Sequence, residues 1–354
     1  MNYKKISITA ALQSRPTSRV MIIYTGGTFG MAHDANGVLI PFDFSQIVEH
    51  LPALRNLSLD ITVISFDHPI DSSDVEPLHW QTIGKIIEEN YDHQDGFVVL
   101  HGTDTMAFTS SALSFMLRGL NKPVVLTGAQ LPISEPRSDA RENLITALEI
   151  ASAKIDGVPT VPEVCVYFDD ELLRGCRVKK VESMHFDAFE SNNYPPLAKA
   201  GVKISFDFSA IHSARPDDKL SLVSAFDSNV AILKLFPGIS RNCVNAVLNT
   251  PGLKGLVLET FGSGNAPSHP WFIKSLKAAT ERGVIILNIS QCPGGMVLQG
   301  RYATSITLTE AGVISGKDMT TEAAVTKLMI LLAEHGQEKT KSLIDKPLAG
   351  EIAA

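Results

Sequence analysis

The sequence predicts an α/β protein with a larger N-terminal parallel-sheet domain and a smaller C-terminal α/β domain. Three observations carry this. Short apolar runs rich in β-branched residues alternate with stretches of helical period through the first two-thirds of the chain. That alternation weakens from about Phe186 to Asp227 and then resumes. The 354 residues also exceed the about 250–300 that one hydrophobic core normally serves.

In chain order, the apolar stretch before Leu12 is broken by Ser7 and Thr9, and Gln13-Ser14-Arg15-Pro16 follows. This reads as a flexible arm over 1–18 and not as an export signal. A catalytic domain is expected over 19–190. Its strands fall at 20–24, 60–65, 96–100, 123–127 and 163–168, and its helices at 78–89, 104–118 and 137–153, the pattern of βαβ units. In the last helix Leu144, Ile145, Leu148 and Ala151 share one face. Residues 191–226, with Tyr194-Pro195-Pro196 and Arg215-Pro216-Asp217-Asp218, are expected to be a connector. The second domain, 227–354, has strands at 230–235, 255–258 and 283–288 and helices at 241–248, 270–282 and 321–332.

Composition excludes some classes of function. A net charge of −7 carries none of the basic excess of a nucleic-acid footprint. No run reaches the roughly 18 apolar residues of a membrane span. Cys165, Cys176, Cys243 and Cys292 form no CxxC pair, and read as buried free thiols of a reducing cytoplasm. No cluster of His and Cys with metal-ligand spacing stands out.

Two turns stand out. Thr25-Gly26-Gly27-Thr28 ends the first strand, and His101-Gly102-Thr103-Asp104-Thr105 ends the third. The crevice of an open α/β sheet lies beyond the carboxyl ends of its strands, so both turns are expected to open into one cleft. The first lacks GxGxxG and GxxxxGK[ST], and a tight glycine turn is its plain alternative. In the second, Thr103, Asp104 and Thr105 together exceed what a helix cap needs. His101 reads as a packed, hydrogen-bonded strand end and not as a base. Asp71-Ser72-Ser73-Asp74 reads as a turn and cap for the helix near Pro77, with a ligand role only if it reaches the same cleft. Arg174-Gly175-Cys176-Arg177-Val178-Lys179-Lys180 reads as a solvated basic loop; the alternative is a desolvated lysine that accepts a proton.

With TGGT, DSSD, HGTDT and RGxRxxK in this order, the chain resembles the bacterial-type L-asparaginases, and more closely their type I, cytoplasmic branch. The likeness runs from about Ser18 onward and includes Lys122–Gln130, Phe261–Pro267 and Ala311–Gly316. The resemblance implies a two-domain hydrolase that converts L-asparagine to L-aspartate and ammonia without metal or cofactor, and that self-associates as a dimer or tetramer. By position, Thr28 matches the nucleophile. Thr103 matches the second catalytic threonine, Lys180 the lysine that works with it, and Asp104 the carboxylate for the substrate ammonium. Ser72, with Asp71 and Ser73, matches the loop that holds the substrate carboxylate. Ala129 matches a backbone carbonyl facing the side-chain amide, and Asn265 a residue reaching in from a neighbouring subunit. Many relatives carry a tyrosine in the loop after TGGT; Asn36-Gly37-Val38-Leu39-Ile40-Pro41 has none, and Tyr302 resembles a tyrosine that enters from the C-terminal domain. The rival readings are a glutaminase-leaning amidohydrolase, an amidotransferase subunit acting on glutamyl-tRNA, and a non-catalytic asparagine- or aspartate-binding protein.

Overall fold

The computed structural model describes residues 3–9, 16–33, 39–41, 51–213, 217–300 and 303–353. The chain divides into two compact units, Met1–Ser191 with Pro195–Leu222, and Asn192–Tyr194 with Val223–Ala354. The expected connector is therefore not a separate piece. Most of it belongs to the first unit, where it supplies three short strands, Ala198–Lys199, Ser205–Phe206 and Ser221–Leu222.

The first unit is built on a nine-stranded sheet. Its centre is five parallel strands, β2 (Ser18–Gly26), β3 (Leu59–Ile70), β4 (Gly96–Leu100), β5 (Val124–Thr127) and β6 (Val164–Phe168). They lie side by side in the order β3-β2-β4-β5-β6. Val20–Tyr24 and Phe97–Leu100 are buried throughout, which explains their unbroken apolar character: strands covered on both faces do not alternate. Helices α1 (Pro77–Asn90), α2 (Met106–Met116) and α3 (Ala140–Ser152) form the crossovers.

The edges depart from the all-parallel expectation. β1 (Tyr3–Thr9) pairs antiparallel with β3, Tyr3 opposite Phe66 and Thr9 opposite Asp60. Part of the expected flexible arm is thus an edge strand, and Ser18 already belongs to β2. On the far side β7 (Glu171–Arg174), β8 (Ala198–Lys199) and β9 (Ser205–Phe206) continue the sheet antiparallel.

Strand order positions the site. From β2 the chain moves to β3 on one side, and its next parallel strand, β4, lies on the other side of β2. The direction of winding reverses between β2 and β4, and a crevice opens at such a reversal beyond the carboxyl ends. The two threonine turns follow these two strands.

The second unit holds a four-stranded parallel sheet, β10 (Val230–Lys234), β11 (Gly255–Thr260), β12 (Ile285–Ser290) and β13 (Ile314–Ser315). Its helices are α4 (Arg241–Leu248), α5 (Pro270–Glu281), α6 (Ala303–Glu310) and α7 (Thr321–Leu343). Successive strand residues point to opposite faces. Leu256, Leu258 and Ile286 join Val244, Phe272 and Leu276 in one core, while Val257, Ile285 and Leu287 join Leu328, Leu331 and Leu332 in another. Helix α7 runs beyond the expected 332, interrupted at Gly336, where φ is 68°. Within it Lys327 Nζ meets Glu351 at 2.6 Å, both side chains sealed from solvent, and donates to the Ile344 and Lys346 carbonyls. The Glu351 carboxylate also accepts from the backbone N–H groups of Leu348 and Ala349.

Cys165 and Cys176 are buried, but Cys243 and Cys292 are exposed, so the expectation of buried thiols holds for two of the four. No helix among the described residues is long and apolar enough to cross a membrane.

Candidate functional site

The loops after β2, β3 and β4 meet at backbone distance, and glycines make this possible. Gly27 has φ of 83°, a region that side chains disfavour, and a β-carbon there would lie 2.5 Å from Gly102 Cα. A β-carbon at Gly102 would in turn lie 2.5 Å from Ser72 Oγ. Thr28 and Thr103 are each the residue that follows one of the touching glycines. The DSSD turn reaches the same place, which meets the condition set for a ligand role.

Within TGGT the two threonines have different surroundings. Thr25 is buried, and its Oγ1 donates to the Leu100 carbonyl at 2.9 Å, tying the end of β2 to the end of β4. Thr28 is half-buried and opens a 3₁₀ turn, Thr28–Gly30.

Thr103 to Thr105 form another 3₁₀ turn, which leads into α2. Lys180 Nζ donates to Thr103 Oγ1 at 2.7 Å and to Asp104 Oδ1 at 2.8 Å. Thr103 Oγ1 donates onward to Gln130 Oε1 at 3.2 Å. The Lys180 side chain is 17% exposed and that of Asp104 64%, so the cluster grades from interior to solvent with the carboxylate on its open side. Thr105 faces the other way, its Oγ1 donating to the Ser72 carbonyl at 2.6 Å. Asp71 accepts from Ser73 N and Ser73 Oγ, both at 2.9 Å, and these bonds hold its carboxyl below the usual carboxylate range. It therefore caps its own turn and not α1, whose capping box is Glu76 with His79.

His101 is packed and hydrogen-bonded. The Gly102 carbonyl lies 2.7 Å from Nδ1, which must carry the hydrogen. Nε2 then accepts from Thr109 Oγ1 (2.9 Å), which itself accepts from Trp80 Nε1 (3.0 Å). Burial pushes the imidazole down to about 4, so it is neutral near pH 7.

The basic loop corrects an expectation. Arg174 and Arg177 are buried, not solvated. Arg174 Nε pairs with Glu163 at 2.7 Å and its Nη2 donates to the Ala210 carbonyl at 2.8 Å. Ser110 Oγ donates to the Gly175 carbonyl at 2.7 Å. These anchors precede the short strand Lys179–Lys180, paired with Phe189–Glu190, that carries the lysine.

After β5, Gly128 packs so closely on the His101 carbonyl that a β-carbon would collide with it. Ala129 is buried, and Gln130 touches Thr103. The sequence reading gives Gln130 no role, because nothing in its local pattern distinguishes it from ordinary loop polarity. Asn265 lies in the second unit, in a tight turn closed by paired backbone bonds with Phe261 (2.8 and 2.9 Å). Tyr302 and residues 34–38 of the loop after TGGT lie outside the described residues.

Together these features define a two-unit α/β protein with threonine, lysine and aspartate gathered at a reversal of strand order. Comparison with known sequences places it more narrowly. The profile of the asparaginase N-terminal domain matches residues 19–212, and that of the glutaminase/asparaginase C-terminal domain matches residues 229–342. The chain belongs to the asparaginase family. A Mus musculus protein named 60 kDa lysophospholipase is 41% identical, over 95% of this chain and 63% of its own length. The chain thus spans about three-fifths of that relative. L-asparaginase 1 of Escherichia coli (strain K12) is 39% identical, over 94% of this chain and 97% of its own. The crystal structure of L-asparaginase I from Vibrio cholerae matches with a TM-score of 0.86 at 38% identity, covering 96% of this chain and all of that one.

Proposed function

We propose that this chain hydrolyses L-asparagine to L-aspartate and ammonia through a β-aspartyl ester on Thr28. The Lys180–Thr103–Asp104 cluster carries this reading, because it sits one residue beyond the backbone contact that brings the Thr28 turn alongside.

A hydroxyl is a weak nucleophile until a neighbour takes its proton. Thr28 Oγ1 attacks the carboxamide carbon, its proton passing to Tyr302 or to a water relay. Backbone N–H groups at the start of the Thr103 turn stabilise the oxyanion. The C–N bond breaks, the nitrogen takes up a proton and leaves as ammonia. Thr103 and Lys180 then activate water, which cleaves the ester and returns the Thr28 hydroxyl. Asp104 pairs with the substrate's α-ammonium, which explains a preference for an amino acid over a simple amide. Ser72, flanked by Asp71 and Ser73, holds the α-carboxylate, and the Ala129 carbonyl accepts from the carboxamide N–H. The enzyme works in the cytoplasm as a dimer or tetramer, with Asn265 completing the cleft of a neighbouring copy.

The test is a substrate panel. Purified protein is assayed for ammonia from L-asparagine and L-glutamine, for fatty acid from lysophosphatidylcholine, and for amidation of glutamyl-tRNA with the partner subunits of such an enzyme. The expected result is ammonia from asparagine above all, lost about 10⁴-fold or more in Thr28→Ala. Asparagine binding without turnover, or turnover confined to the lipid or the tRNA, overturns the reading.

A further inference from the structure

Two side chains at the start of α3, one on its N-cap and one in its first turn, hold the peptide beside them. Asp139 stands at the start of the helix and Asn143 one turn later. The Asp139 carboxylate accepts from the Gln130 N–H through both oxygens (3.1 and 3.0 Å) and from the Leu131 N–H through Oδ1 (3.1 Å). Asn143 is buried; its Nδ2 donates to Asp139 Oδ2 at 3.2 Å and to the Gly128 carbonyl at 3.0 Å. The loop from Gly128 to Leu131 is therefore held from one side by a carboxylate and a carboxamide that are themselves bonded together.

The consequence follows from covalent geometry. The Ala129 carbonyl and the Gln130 N–H belong to one peptide unit, which is planar and trans, so they point in opposite directions. Asp139 draws that N–H toward α3 and thereby turns the Ala129 carbonyl away from it. The Gln130 side chain accepts from Thr103 Oγ1, so this peptide stands beside the reacting groups. A carbonyl oxygen accepts hydrogen bonds and cannot donate them.

We infer that Asp139 and Asn143 are positioning residues that make the site selective for an amide over an ester of the same acid. The inference rests on the asparaginase reading, in which the Ala129 carbonyl receives the substrate's carboxamide N–H. An ester has no hydrogen to give it. Asp139→Asn leaves one carbonyl oxygen for the Gln130 and Leu131 N–H groups and puts an N–H₂ at the Oδ2 position, where it faces the Gln130 N–H and Asn143 Nδ2, so the grip on the peptide is loosened from two acceptors to one. Asn143→Leu removes the grip on the Gly128 carbonyl and leaves Asp139 in place.

The experiment compares kcat/KM for L-asparagine with that for the β-methyl ester of L-aspartate, which shares the acyl group and both α-substituents. Asp139→Asn is expected to lower the asparagine value roughly tenfold and the ester value little, so that the amide-to-ester ratio falls by about the same factor. Asn143→Leu moves the ratio in the same direction and serves where Asp139→Asn fails to fold. Equal loss on both substrates in the folded variants means that these residues support the fold alone, and overturns the inference. Failure of the unmodified protein to hydrolyse either substrate instead overturns the asparaginase reading, so the two failures are distinct.

Discussion

Two lysine–carboxylate pairs of nearly the same length, one taken from each unit, are opposite in kind. Lys180 and Asp104 meet at 2.8 Å with the carboxylate largely in water; Lys327 and Glu351 meet at 2.6 Å with no exposed surface on either side chain. A pair at the surface contributes little to stability, because solvent screens it and ordering two side chains costs entropy. A sealed pair must replace all its lost hydration, and Lys327 does so with two carbonyls as well as Glu351. Distance alone does not say what an ion pair is for; the way the remaining hydrogen-bonding capacity is used does. The inner pair spends it on backbone and fastens residues 344–351 to α7. The outer pair spends it on a threonine hydroxyl and on open solvent.

This contrast breaks if Lys180 proves structural. Lys180→Met should fold with an unfolding midpoint close to the parent and lose about 10²–10⁴-fold in kcat, the worth of a positioned proton-transfer group; a large fall in the midpoint with kcat kept per folded molecule would reverse the assignment. Lys327→Met should do the opposite. Leaving Glu351 buried without its cation costs about 3–5 kcal/mol in a urea titration, while kcat per folded molecule is retained.

A third buried group sharpens the contrast through pH. His101 drops from its ordinary 6.5 to about 4 in the folded protein. Between these values the unfolded chain binds the proton that the folded one refuses, so stability falls with falling pH. The loss starts near pH 6.5 and is complete near pH 4, reaching about 3 kcal/mol. In His101→Gln that share of the slope should vanish from urea titrations across this range; an unchanged slope would assign the acid sensitivity elsewhere. The smallest effect belongs to the exposed carboxylate. Asp104→Asn should raise KM for asparagine roughly tenfold through loss of a charge-assisted bond, and add little for an analogue without the α-amino group.

Much of this is legible in the sequence alone. β4 at 96–100 and α4 at 241–248 fall at the expected bounds, because apolar runs ended by glycine and capped amphipathic stretches are local signals. Hydrogen bonds join Lys180 to HGTDT and HGTDT to DSSD, three segments that the resemblance assigns to one site. What stayed hidden depends on distant partners. β1 is a strand only because residues 60–66 offer an edge to pair with. Arg174 looks like a surface charge until Glu163, on the neighbouring strand side, supplies its counter-ion. Asp139 and Asn143 look like the polar start of an amphipathic helix; their bonds run to a loop that the fold lays beside them.

The contact between Gly27 and Gly102 works as a spacer of fixed length. Where two loops meet through side chains, their separation varies with rotamers and with every substitution that repacks the gap. Here the gap is the thickness of two backbones, and no rotamer exists to alter it. Sequence drift elsewhere in the sheet can change how firmly the loops are held, but it has no means of tuning how far apart they stand. Even alanine, the smallest residue with a β-carbon, would at position 27 push the Gly102 backbone outward, and the Thr28 and Thr103 turns would part with it; at position 102 it would press instead on the Ser72 side chain.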